Sequence, residues 1–165
     1  MVKEQKAGPT QTFFIKLITT FFFVGYLPLI PGTFGSVAGL LIYLVSGKSF
    51  YLLLFVTFLV LILGFSLSGR AAKLFSRRDP PQIVIDEIAG MLISFLAIPG
   101  GHDKVTLLLG FMIFRIIDTL KPYPANRFQL IEGGLGIMGD DIIAGLYTNF
   151  ILRLIFLLKY SSCSI

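Results

Sequence analysis

Apolar runs separated by short polar punctuation organise the chain. The first, residues 13–30, is rich in phenylalanine, is interrupted by Lys16 and Gly25, and ends at Pro28 and Pro31. Further runs follow at 33–47, 50–68, 83–99, 104–120 and 139–158. Several approach the roughly 20 residues that carry a helix across a hydrocarbon core of about 30 Å. No repeat of solenoid length is visible, and no polar stretch is long enough to be a linker. The expected fold is all-α: a polytopic membrane helical bundle of about five crossing helices plus an N-terminal interfacial or re-entrant helix. The expected organisation is a cytoplasmic segment over 1–12, one membrane-embedded domain over 13–160 and a polar tail over 161–165.

Composition points the same way. The 165 residues are 55% hydrophobic and only 14% charged, with a mean hydropathy of +0.86. A soluble domain carries about 25% charged residues. A chain this short builds one modest core, so lipid is the solvent left for the excess apolar surface. The first apolar run has no small-residue cleavage site and does not read as a secretory signal. The single cysteine, Cys163, excludes an internal disulfide and a cysteine metal cluster.

Charge then sets topology. Ten of the fourteen lysines and arginines fall in three regions: Lys3, Lys6 and Lys16; Arg70, Lys73, Arg77 and Arg78; Arg115, Lys121 and Arg127. Cytoplasmic loops of membrane proteins carry this excess. The N-terminus, the 69–82 loop and the 121–138 loop are therefore expected in the cytoplasm, provided residues 13–30 return to the side they started from. The alternative, a true first span, weakens the bias.

The same ends carry most of the acids. Asp86 and Glu87 open one helix, Asp118 closes the next, and Asp140 and Asp141 open the last. A carboxylate at bilayer depth costs about 2.5–3.5 kcal/mol, less near the interface, so five sum to on the order of 10 kcal/mol. Neighbouring carboxylates also repel. A divalent cation answers both difficulties, and oxygen donors without cysteine and with one histidine suit Mg²⁺, or Mn²⁺ as a substitute. The plainer reading is that acids favour helix N-termini. It serves Asp86, Glu87, Asp140 and Asp141 and fails for Asp118, at a helix C-terminal end.

Phosphate chemistry is suggested by what surrounds the acids. Pro31-Gly-Thr-Phe-Gly-Ser36 is a glycine-rich turn entering a helix, so its amides and the hydroxyls of Thr33 and Ser36 could face an anion. Arg115 and Lys121 bracket Asp118, and Gly133-Gly134-Leu135-Gly136 offers a flexible approach to Asp140 and Asp141. Each fragment alone has an ordinary structural explanation; it is their convergence on one face that matters. Cys163 and a lone His102 on the opposite side exclude cysteine and histidine nucleophiles, which leaves metal-activated water.

Four blocks in order resemble the bacterial phosphatidylglycerophosphatase A family: Pro31-Gly-Thr-Phe-Gly-Ser36, Ile85-Asp-Glu-Ile-Ala-Gly90, Phe114-Arg-Ile-Ile-Asp-Thr-Leu-Lys-Pro122 and Gly133-Gly-Leu-Gly-Ile-Met-Gly-Asp-Asp-Ile-Ile-Ala-Gly145. The likeness runs from about Gly25 to about Tyr147. It implies an all-α enzyme of the bacterial inner membrane that uses Mg²⁺ to hydrolyse phosphatidylglycerophosphate at the cytoplasmic face. The matching positions imply Asp86, Glu87, Asp118, Asp140 and Asp141 for metal or water activation, and Thr33, Ser36, Arg115 and Lys121 for phosphate. Two positions depart from the family pattern: Gly139, where a bulkier residue is expected, and Glu132, where a histidine is. The implied partner is a phospholipid in the bilayer, with no nucleic acid and no obligate protein partner.

Three rivals remain on the residues alone. A small ion-transport subunit would also hold intramembrane acids, but near the midplane rather than at one face. An intramembrane aspartyl protease matches Gly139-Asp140 but has Ile137 at its first glycine position. A metal-dependent lipid phosphotransferase would need an Asp-x-x-Asp-Gly pattern, which is absent.

Overall fold

The computed structural model describes residues 8–128 and 130–161, so Lys3, Lys6 and Cys163 lie outside it. Regular structure among the described residues is helical throughout. The elements are α1 (Pro9–Thr19), a 3₁₀ turn (Val24–Tyr26), α2 (Pro31–Ser46), α3 (Phe50–Leu74), α4 (Ile85–Ser94), α5 (Lys104–Leu120), α6 (Ala125–Phe128) and α7 (Gly134–Ser161).

Of the five segments expected to cross a membrane, α3 and α7 are long and apolar enough to do so. The outer face of α3 is a row of exposed Phe55, Phe58, Ile62 and Phe65, spaced three or four residues apart as one side of a helix requires. At 16 and 17 residues, α2 and α5 reach about 24–26 Å.

The expected crossing over 83–99 becomes a helix of only ten residues, about 15 Å long. Nine of those ten are buried, so α4 is the interior helix, with α2, α3, α5 and α7 around it. It stops early because the chain turns through left-handed Ala97 and Gly100. A helix ending inside an apolar bundle strands its last carbonyls, which must find donors. Asn149 on α7 supplies them: its Nδ2 donates to the carbonyls of Ile93, Ser94 and Leu96 at 3.0, 3.2 and 2.8 Å. Arg153 adds a second donor to Leu96.

Residues 13–30 do not form one helix. After α1, about 16 Å long, Phe21, Phe22 and Phe23 all take left-handed backbone and reverse the chain into the 3₁₀ turn. The end of α1 is tied down where the Val84 amide donates to the Thr19 carbonyl at 3.0 Å. The N-terminal elements thus brace the chain just before Asp86.

Candidate metal and phosphate site

Two glycines bring the acids together. A methyl group on Gly90 of α4 would come within 2.6 Å of the Asp141 carbonyl oxygen, and one on Gly145 of α7 would strike the Gly90 carbonyl. Only glycine lets the two backbones touch there. Each lies one helical turn beyond an acid, Asp86 before Gly90 and Asp141 before Gly145, so this crossing sets the acid-bearing turns side by side. On the other flank, Gly32, Gly35 and Gly39 of α2 lie against Glu87, Val84 and Met91, which seats α2 on α4.

The five acids divide into two groups. Arg115 donates to Asp118 at 2.5 Å, and Lys121 donates to Asp140 at 2.5 Å. Burial works against the Lys121 charge, but contact with Asp140 and the charges of Asp141 and Asp118 outweigh it and hold the ammonium above its ordinary pKa. Asp86, Glu87 and Asp141 make no ion pair among the described residues. Each of these three offers a carboxylate oxygen lying within 4.8 Å of the other two. Asp118 is near enough for its charge to act on both Glu87 and Asp141, so the five acids lie in one cluster.

These three carboxylates fit a hard divalent cation. Glu87 Oε2 and Asp141 Oδ1 are buried and accept no hydrogen bond, which is rare for buried polar atoms. Two like charges 4.8 Å apart repel by about 3 kcal/mol at an effective dielectric near 20. Three such pairs approach 10 kcal/mol, comparable with a whole domain's stability. Protonation or a bound cation must offset that repulsion, and an all-oxygen donor set suits a hard cation better than softer metals.

The phosphate candidates are placed unevenly. Arg115 and Lys121 stand at the rim of the acid cluster. Ser36 is buried; its hydroxyl donates to the Gly32 carbonyl at 2.9 Å and accepts from Arg115 Nη1 at 3.4 Å, so it holds the arginine. Thr33 is partly buried in the first turn of α2, where its amide and that of Phe34 already donate to the Ile30 carbonyl. Instead of forming a flexible approach, Gly134 and Gly136 pack against the carbonyls of Phe65 and Ile131. Gly139 is small because the Phe128 ring fills the space where a side chain would go.

One acid escaped the sequence reading. Asp79, in the loop before α4, is close enough that its charge acts on Asp86 and Asp140. Its neighbours Arg77, Arg78 and Pro80 gave it the look of a topology loop, and only the folded loop brings it near the cluster. His102 lies at the opposite end of the bundle, exposed but stacked on Tyr43 with ring centres 5.0 Å apart.

The profile of the family described as phosphatidylglycerophosphatase A matches residues 17–156. The phosphatidylglycerophosphatase A of Escherichia coli (strain K12) is 38% identical over 141 residues, covering 84% of this chain and 81% of that protein. A Bacteroides thetaiotaomicron protein provisionally named a phosphatidylinositol-3-phosphatase is 35% identical over 145 residues, 82% of this chain and 89% of its own. The phosphatidylglycerophosphatase A of Haemophilus influenzae is 34% identical over 149 residues, 88% of this chain and 89% of its own. No solved structure matches the chain.

Proposed function

The chain belongs to the phosphatidylglycerophosphatase A family of phosphatase enzymes, and from that premise we propose that it hydrolyses phosphatidylglycerophosphate to phosphatidylglycerol and phosphate, with Mg²⁺, at the cytoplasmic face of a bacterial inner membrane. The observation that carries the metal dependence is the trio Asp86, Glu87 and Asp141, without an ion pair among the described residues, two of them buried and Glu87 partly so. These residues would hold the ion, which when bound supplies positive charge to the phosphate and lowers the pKa of water for attack on phosphorus.

The remaining residues orient the substrate. Arg115, held by Ser36 and Asp118, and Lys121, held by Asp140, present cations to the oxygens of the terminal phosphomonoester. Thr33 stands by at the start of α2 as a further hydroxyl donor. Asp118 and Asp140 keep those two cations charged and aimed, and they complete the five-acid set. The P–O bond to glycerol breaks, releasing inorganic phosphate and leaving the lipid with a free hydroxyl.

Sidedness is supported by the distribution of cations. Arg70, Lys73, Arg77, Arg78, Arg115, Lys121 and Arg127 lie toward the acid end, against Lys48, Lys104, Arg153 and Lys159 toward the other. On this reading α2, α4 and α5 are embedded together with α3 and α7, as a multi-pass bundle over 13–160. In a Cys163→Ser background, Ser76→Cys should resist a membrane-impermeant thiol reagent in intact cells while Ser49→Cys reacts; the reverse would put the site outside.

The direct test is phosphate release from phosphatidylglycerophosphate by the protein purified in detergent, with and without Mg²⁺. Phosphatidylinositol 3-phosphate belongs in the same assay, because the Bacteroides relative's name favours a second substrate with the same reacting group. Release from neither lipid would end the reading.

A further inference from the structure

Beside the acid cluster lies a basic cavity that the proposed mechanism does not use. It is open, measures about 460 Å³, and is lined by Lys73, Ser76, Arg77, Arg78, Glu132 and Gly133, among others. Arg77 and Arg78 line it with a single carboxylate, Glu132, so the cavity favours an anion. It begins at Gly69, where the apolar run of α3 ends and Arg70 and Lys73 begin. On a helix long enough to cross a membrane, that is the level of the lipid headgroups.

The end of α3 is built to bring these side chains together. The Ser76 amide donates to the Lys73 carbonyl and the Arg77 amide to the Ala72 carbonyl, both at 3.2 Å, a helix-terminating turn with Ser76 left-handed at φ 53°. Glycine is the residue that position favours. Here it is a serine, and it lines the cavity. Loop cations that served only as topology signals would need no such turn.

Arg78 and Asp79 place the cavity near the acids. Arg78 lines a second, adjoining cavity of about 190 Å³ together with Asp79, Gly136 and Ile137. Asp79 acts electrostatically on Asp86 and Asp140. Along α7, Gly133 precedes Asp140 by two helical turns, about 10 Å. An anion in the basic cavity would therefore lie next to the acid site and separate from it.

We propose that this cavity binds the phosphodiester of the glycerophospholipid substrate, the phosphate that stays on the lipid, while the terminal phosphomonoester lies between Arg115, Lys121 and the acids. The assignment rests on reading the acid cluster as a lipid phosphomonoesterase. It makes Arg77 and Arg78 the residues that distinguish a membrane lipid from a water-soluble phosphate ester.

The test compares three ligands using the full chain in detergent: phosphatidylglycerophosphate; glycerol 3-phosphate, which has no phosphodiester; and phosphatidylglycerol, which has only the phosphodiester. Both arginines are exposed, so the Arg77→Gln/Arg78→Gln double variant should fold, and its thermal unfolding verifies this. Its kcat/KM on the lipid should fall about tenfold or more beyond any fall on glycerol 3-phosphate, chiefly through KM, as expected for lost charge-assisted hydrogen bonds. Phosphatidylglycerol binding, measured calorimetrically, should weaken in the double variant and strengthen in Glu132→Gln, which removes the one carboxylate facing the anion. Equal losses on both substrates, or phosphatidylglycerol binding indifferent to the arginines, would overturn the proposal. So would arginine-dependent stimulation of glycerol 3-phosphate hydrolysis by added phosphatidylglycerol, which would mean that a non-substrate lipid occupies the cavity. If the wild type hydrolyses no phosphate ester, the proposed function fails on its own, and the binding arm still decides the cavity.

Discussion

The two ends of the bundle treat buried polar groups in opposite ways, although α4 and α7 run through both. At the His102 end the protein satisfies itself: Asn149 caps three carbonyls, while Ser46, Ser94 and Thr148 each donate to the carbonyl one turn back. At the acid end it does not. Ser68 Oγ, Gln82 Oε1, Glu87 Oε2 and Asp141 Oδ1 are all buried there without a hydrogen-bond partner. A buried, unsatisfied polar group costs about 1–3 kcal/mol and persists only where something else is gained. The difference separates an end that satisfies its own polar groups from one that leaves buried oxygens without a protein donor.

The sharpest way to break this comparison is to neutralise the unpaired trio. Asp86→Asn, Glu87→Gln and Asp141→Asn should each lower kcat for phosphate release about a hundredfold or more, as should EDTA, with Mg²⁺ restoring only the wild type. In EDTA, thermal unfolding of these variants should occur no lower than that of the wild type, because a repelling charge has been removed. A drop in stability without loss of activity would make the trio structural.

Gly145→Ala tests the crossing that joins the ends. Its new methyl group would strike the Gly90 carbonyl, so α4 and α7 must separate and the acids with them. Activity should fall at least about tenfold, since small misplacements of reacting groups are costly, and the unfolding temperature should fall as well. Next in size is Lys121→Ala, which should raise KM about tenfold by removing a charged phosphate donor and leaving Asp140 without its cation. Smallest in its effect on catalysis is Asn149→Ala. It leaves the Ser94 carbonyl without a donor and removes one of two donors from those of Ile93 and Leu96, which keep the Leu96 amide and Arg153 respectively. It should therefore cost about 1–3 kcal/mol of stability, while kcat of the folded fraction stays within about twofold of wild type. An Asn149 variant that folds well but cannot turn over would erase the distinction between the ends.

Much of this was legible in the chain itself. Apolar runs at helical length located α2, α3, α5 and α7 to within a few residues at most ends, because hydrophobic periodicity and capping residues are local signals. The five acids stood out because carboxylates at the ends of apolar segments are expensive wherever the segments go. Four motif blocks were enough to suggest the family that the comparisons then established.

Other features depended on contacts between distant residues. Which acids are neutralised is decided by pairings such as Lys121 with Asp140 and the Ser36 hydroxyl with Arg115, and these exist only once the helices cross. The early end of α4 was not legible because Asn149, which donates to its last carbonyls, lies more than fifty residues away and is an ordinary polar residue in isolation. Glycines that read as flexible loops are close-contact points between backbones, a role that has no local signature. Asp79 and the arginines beside it looked like topology signals until the loop folded. The sequence by itself therefore determined the helices, the solvent and the chemical inventory, since composition and periodicity act residue by residue. The tertiary structure alone decided which carboxylates are left unpaired, because charge compensation depends on distances that only the packed helices set.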